Sequence, residues 1–265
     1  MSVIAQRKLT IALRQIRRDR DLTQTQVAAD MEWSLSKLIR IENGAVKVSV
    51  SDLRSLLAYY GVQDGVDNLL ALARAAKGAA GWWKTFVGRV PDPIVNLAAH
   101  EAEATSIWSF EPLVVPGVLQ TKAYATTVSF AQVDVEFRLR RRAELLARAP
   151  ELTFVIDESV LHRTPSGRKL MAEQVDSIIE DIQRPNVSVR ILPYTAGAHR
   201  GWAGGYTIIN CGGQRLLVTS NGFQASEDTT EIDTFEGAFE ELLSHCLTAN
   251  ESEGELTEAL IALRK

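Results

Sequence analysis

The chain has 265 residues, 46% of them hydrophobic and 23% charged, with a formal net charge of −4. That length exceeds one small domain, and the composition is ordinary for a folded soluble protein. No apolar run approaches the ~20 residues that cross a bilayer, and the opening MSVIAQRKL lacks the apolar stretch of a signal peptide, so a cytoplasmic protein with no membrane partner is expected.

The net charge conceals an asymmetry. Residues 1–80 carry 12 Lys or Arg against 8 Asp or Glu, whereas the remainder carries 17 against 25. Phosphate contacts need local positive charge, and an acidic partner domain tends to face away from DNA. The only cysteines, Cys211 and Cys246, are too far apart for a disulfide framework or a short-loop metal site, and read as buried thiols.

In chain order, Leu9, Leu13 and Ile16 repeat at helical spacing beside Arg14, Arg17, Arg18 and Arg20, predicting a helix over 9–18 with a basic polar face. Thr23 stands as an N-cap, with Gln26 three residues on as in a capping box, and Val27, Ala28 and Met31 form the apolar stripe of a short second helix. Ser34 caps a third, buried through Leu38 and Ile41 and ended by Asn43-Gly44. Ser49 or Ser51 caps a fourth helix carrying Leu53, Leu56, Leu57 and Tyr60, and a fifth covers 66–77. The character changes at GAAGWWK, which places a domain boundary between residues 1–80 and 81–265.

The second part begins with a helical run predicted over 94–108, with Leu97, Glu101, Ala104 and Trp108 near one face. EPLVVPGVLQT follows, its two prolines forbidding a continuous helix. Helices are predicted over 122–131 and 135–149. Strands are predicted at LTFVID (152–157), VSVRILP (187–193), YTIIN (206–210) and LLVTS (216–220), with a helix over 169–183 between the first two and a hairpin turn at 211–214. Helices over 234–247 and 255–263 close the domain. The expected fold is therefore α+β overall: an all-α, five-helix helix-turn-helix domain, then an α+β domain with about four strands and several helices.

Two short helices joined by a tight turn can lay the second in a major groove ~12 Å wide while the first crosses the backbone. With Leu38 and Ile41 turned inward, Ser36, Lys37, Ile39 and Arg40 face outward. Arg40 can pair with guanine, Ser36 with almost any base edge, and Ile39 or Leu35 with a thymine methyl, while Lys37 meets phosphate. Gln24 in the first turn of the second helix, and Asn43 and Lys47 on the far side, are the expected phosphate anchors; Ser34 caps the reading helix. Glu42 would repel phosphate if exposed, so it is expected to turn inward onto Arg14 or Arg17.

LTQTQVAADMEWSLSKLIRIENG resembles the Xre-type helix-turn-helix of phage repressors and Cro, with the pattern T-Q…A…S…I-E-x-G intact. The resemblance implies that Gln24 and Asn43 contact phosphate and that Leu35, Ser36 and Arg40 read bases. Leu35 stands where a polar residue is common, and Met31-Glu32 replaces a turn that usually contains glycine. Further segments, among them GWW, EPLVVPGVLQTKAYA, RLRRRAELL, VIDESVLHR and VSVRILPYTAGAHRGWAGGY, are similar to actinobacterial Xre-family regulators with a C-terminal domain of unknown function, WhiJ-like and antitoxin-like. This implies a C-terminal domain able to bind a small acidic partner protein encoded nearby.

An enzyme is not expected. His100, Glu101 and Glu103 form HExE rather than HExxH, His162, His199 and His245 stand apart, and neither Ser159 nor Ser166 sits in G-x-S-x-G. No metal or cofactor is implied. In GAHRGWAGG (197–205), His199, Arg200 and Trp202 either form a flexible pocket rim for an anion or aromatic ligand, or lie on a mobile connection. VPGVLQT with Trp108 and Phe110 can line an apolar cavity or be core. The run Arg138, Arg140, Arg141 and Arg142 reads as a solvated face or a surface for phosphate or an acidic partner.

One reading helix sees too few bases to be selective, so the expected state is a homodimer on double-stranded DNA bearing an inverted repeat, its contact involving the second domain. The function expected is a sequence-specific transcription regulator whose C-terminal domain binds a partner protein or ligand. The alternative is an antitoxin-like module that mainly binds its acidic partner and uses DNA for autoregulation.

Overall fold

The computed structural model describes residues 3–77, 81–129, 131–219 and 224–265, and divides into two compact units, Met1–Trp82 and Trp83–Lys265.

The first unit is five helices: α1 (Val3–Arg18), α2 (Gln24–Asp30), α3 (Leu35–Glu42), α4 (Val50–Tyr59) and α5 (Val66–Lys77). Local chemistry fixes their starts. The Thr23 hydroxyl accepts from the Gln26 amide while the Gln26 side chain accepts from the Thr23 backbone, and Ser34 and Ser49 cap α3 and α4 the same way through Lys37 N and Asp52 N. At the far end of α3, Gly44 takes a left-handed φ of 73°, a conformation without penalty only for glycine. The apolar stripes meet in one core of Leu9, Leu13, Val27, Leu38, Ile41, Leu53, Leu56, Leu57 and Leu70. Helix α1 begins two turns before the predicted position, because buried Ala5 extends the Leu9 stripe by one i−4 step. Between α2 and α3, Glu32 sits at φ 54°, so a residue with a Cβ occupies the left-handed position that glycine suits best.

The second unit is built on a six-stranded mixed sheet in the order β3-β2-β1-β4-β5-β6, with β1 (Ser106–Glu111), β2 (Glu151–Asp157), β3 (Val187–Leu192), β4 (Tyr206–Cys211), β5 (Gln214–Thr219) and β6 (Gln224–Ser226). β1, β2 and β3 are parallel, and β4, β5 and β6 run antiparallel to their neighbours. The parallel crossovers carry α7 (Lys122–Val128) and α8 (Gln132–Arg148), then α9 (Ser159–His162) and α10 (Arg168–Asp181). α6 (Asp92–Glu101) precedes the sheet; α11 (Thr229–His245) and α12 (Ala249–Arg264) follow it. One face packs Phe110, Val155, Ile208 and Leu217 against Phe239 and Leu242 of α11, with the Trp108 and Phe239 rings stacked at 5.2 Å.

Two expectations change here. The helical run predicted over 94–108 ends at Glu101, and Trp108 lies on β1. β1 is central, paired on both sides, and buried side chains on both faces blur the alternation that marks a half-buried strand. The sheet has six strands; β1 was hidden in that helical spacing, and β6, three residues long, is too short for a period. Cys211 is buried and Cys246 only partly so.

Candidate nucleic-acid interface

The α2–α3 pair is held from beneath by one carboxylate. Glu42, fully buried, accepts from Arg17 Nε at 2.7 Å and Nη2 at 2.9 Å, and from Gln24 Nε2 at 2.8 Å. Arg17 also donates to the Leu22 carbonyl at 2.8 Å. The hydrogen-bonded Glu42 carboxylate holds the Arg17 guanidinium above its ordinary pKa against the cost of burial. Arg14 is not the partner; its Nε donates to Thr10 O at 3.4 Å. The acid that would repel phosphate is thereby removed from the surface, and α1, α2 and α3 are tied at one point.

Above this network α3 turns a distinct face outward. Leu38 and Ile41 are buried, whereas Ser36 and Arg40 are exposed and Leu35 is 41% exposed. Among the described residues the Arg40 side chain bonds only within its own helix, Nε to Ser36 O at 3.3 Å, so its guanidinium is anchored at one point. Ile39 is half-buried. Ser34 is an exposed N-cap, and Asn43 and Lys47 are exposed beyond the C-terminus of α3. Lys37 is less mobile than an exposed lysine: Nζ lies 3.3 Å from Asp52 Oδ1 and 3.9 Å from the centroid of the Trp33 ring. The sequence reading missed this clamp, although Trp33 and Lys37 stand at i, i+4. Gln24 is half-buried, and one of its two amide protons is committed to Glu42.

The residues singled out in the second unit fare differently. GAHRGWAGG folds into a 3-10 turn over Arg200–Ala203 in which His199 Nδ1 accepts from Gly201 N at 3.1 Å and the His199 ring meets Phe110 edge-on at 6.0 Å. Arg200 pairs with Glu241 at 2.9 Å, and Trp202 is 85% exposed. The arginine run is no uniformly solvated face. Arg141 makes a bidentate pair with buried Glu101, Arg142 pairs with buried Asp181 at 2.7 Å, and Arg140 makes a surface pair with Glu144 at 2.6 Å. His100 Nδ1 lies 2.8 Å from Asn96 O, and His162 stacks on Tyr194. Among the described residues no group of three or more His, Cys, Asp or Glu side chains is placed to hold a metal ion, and no helix is long and apolar enough to cross a membrane.

A family model described as a helix-turn-helix domain matches residues 8–70, the five-helix unit, and makes a DNA-binding regulator the class to which it points. A second, described as a domain of unknown function (DUF5753), matches residues 94–258. Comparison with curated proteins gives no match, and comparison with solved structures gives none. Since the second model covers more than half of the sequence, the chain belongs to the DUF5753 family and joins that domain to an N-terminal helix-turn-helix.

Proposed function

We propose that the chain is a sequence-specific transcription regulator that lays α3 in the major groove of duplex DNA. One observation carries this reading: α3 buries Leu38, Ile41 and Glu42 and leaves Leu35, Ser36 and Arg40 exposed side by side. Arg40 supplies a planar fork for guanine, Ser36 a hydroxyl for a base edge, and Leu35 with Ile39 an apolar contact for a thymine methyl. Asn43 and Lys47 serve as phosphate anchors, Lys37 adds positive charge, Ser34 caps the helix, and Gln24 offers its second amide proton to a phosphate oxygen while Glu42 orients the first. The unit spans residues 1–80, and the protein acts as a homodimer on an inverted repeat, since one such helix discriminates too few base pairs alone.

The C-terminal residues 81–265 serve as the sensing and docking part. Trp202, exposed on a turn whose neighbours His199 and Arg200 are structurally engaged, favours a protein contact there. The resemblance to actinobacterial WhiJ-like and antitoxin-like regulators makes a small acidic partner the second reading. Selection of bound duplexes from a random pool with the full chain tests the first: an enriched inverted repeat is expected, and binding without sequence preference at physiological salt would refute it.

A further inference from the structure

The sheet face opposite α11 carries an anomaly. Interior sheet faces are normally apolar, yet Ser109, Glu111 and Thr207 stand here beside Gln120, Arg138 and Arg141 around a cavity of about 170 Å³. Ser109 and Thr207, cross-strand neighbours, bond to one another at 3.0 Å. Such buried polar groups are retained only where they have partners or a task.

The two arginines differ in one respect. Arg141 is neutralised by Glu101, which takes its Nε and Nη2. Arg138, one turn earlier on α8, has no carboxylate in ion-pair contact among the described residues, and its Nη1 donates to the Gln120 amide oxygen at 3.3 Å. The Nη1 atoms of both arginines lie 3.3 Å from where a Cβ on Gly117 would stand, so two guanidinium groups converge on a cavity wall that has no side chain. Burial and the neighbouring Arg141 both lower the pKa of Arg138, while Asp134 and Glu111, each on the wall of a cavity that Arg138 also lines, act to raise it. The cation is thus held partly desolvated without a direct counter-ion.

A second cavity, about 260 Å³, shares Leu97 and both arginines with the first and is otherwise lined mainly by apolar side chains such as Ile94, Val128 and Phe137, with Asp134 as its one carboxylate. At its wall the Ser129 hydroxyl is buried with no hydrogen-bond partner among the described residues. A charged centre lies between a polar chamber and an apolar one.

We propose that these two neighbouring cavities are the ligand site of the DUF5753 domain and that the ligand is an amphipathic monocarboxylate, its carboxylate on Arg138 and the remaining N–H groups of Arg141, its apolar body in the chamber of Ile94, Val128 and Phe137. A single negative charge supplies the ion-pair contact that Arg138 lacks among the described residues, while Glu111 and Asp134, which line the two cavities, disfavour a second. A dianion would add a charge with nothing to balance it beside Glu101, Glu111 and Asp134, and a neutral ligand would leave Arg138 without an ion-pair contact.

The inference stands apart from the DNA reading, because its test measures binding directly. Sodium octanoate, octan-1-ol and inorganic phosphate are titrated into the full chain, with calorimetry and thermal denaturation as readouts. Octanoate is expected to bind saturably and raise Tm, octanol and phosphate to do neither, and Arg138→Gln to weaken octanoate by about tenfold or more. Ile94→Trp, which fills the apolar chamber and leaves both arginines in place, is expected to lose octanoate as well, and decides the matter if Arg138→Gln does not fold. Absence of saturable octanoate binding, phosphate binding more tightly than octanoate, or undiminished octanoate affinity in a folded variant of either kind would overturn the proposal.

Discussion

Arg17 of α1 and Glu42 of α3 face each other as a two-pronged pair, at 2.7 and 2.9 Å, with Glu42 fully buried and the Arg17 side chain 12% exposed. Removing one partner of such a pair leaves the other charge buried alone, which costs about 3–5 kcal/mol. Glu42→Ala is therefore expected to destabilise the N-terminal unit by an amount in that range, and to free Gln24 from its fixed orientation. Urea denaturation of wild type and variant measures it; a loss below about 1 kcal/mol would show that the pair is not what ties α1 to α3.

Arg40 lies at the other extreme, exposed and with its side chain bonded, among the described residues, only to Ser36 O of α3. Arg40→Ala is expected to leave stability within about 0.5 kcal/mol of wild type and to weaken binding to the selected operator by about 1–3 kcal/mol, with relaxed specificity at one base pair. Lys47→Ala is expected to weaken all duplexes alike and to lower the slope of log affinity against log salt by about one. Fluorescence anisotropy at several salt concentrations separates the two; equal effects on operator and random DNA from both variants would remove Arg40 from the base-reading set.

What was legible in the sequence was what is local. Thr23 with Gln26, and Ser34 and Ser49 at their caps, announce helices within four residues, and the repulsion Glu42 would exert on phosphate was enough to turn it inward. The choice of Arg17 over Arg14 depends on how α1 packs on α3, which spacing alone does not decide. In the second unit the decisive pairings are distant. Arg141 meets Glu101 and Arg142 meets Asp181 across some 40 residues of chain, and Arg138 meets Gln120, so RLRRR read as a solvated face although three of its four arginines point inward. SIWSFE failed for a related reason, since a central strand buried on both faces loses its period.

Gly201 illustrates a constraint that composition concealed. A Cβ at this position would collide with the Phe110 ring, and Phe110 is fully buried in the sheet core and cannot move aside cheaply. Gly201→Ala is expected to destabilise the C-terminal unit by about 1–3 kcal/mol, as overpacking does, whereas Gly212→Ala, with nothing within 4 Å of its Cβ but a left-handed φ of 54°, is expected to cost about 1 kcal/mol through backbone strain alone. Thermal denaturation of the two variants side by side gives the order; a larger loss from Gly212→Ala would mean that the 197–205 turn yields freely.

Burial has a consequence at high pH. The Cys211 thiol, buried beside β1 with Sγ 3.4 Å from His100 O, has its pKa pushed up to about 11, chiefly by desolvation, with Glu103 adding to it. In the unfolded chain the same thiol ionises near 8.5, so the folded state binds the proton more tightly. The stability this contributes is complete below about pH 8.5 and is lost as pH rises from there through 11, at up to about 1.4 kcal/mol per pH unit. Cys211→Ala is therefore expected to flatten the fall in urea stability between pH 8.5 and 11 relative to wild type. At pH 8 the folded thiolate fraction is on the order of one in a thousand, so iodoacetamide is expected to label Cys211 only at the rate of unfolding. Rapid native-state labelling at pH 8, or parallel pH profiles for wild type and variant, would place that thiol in water rather than in the core.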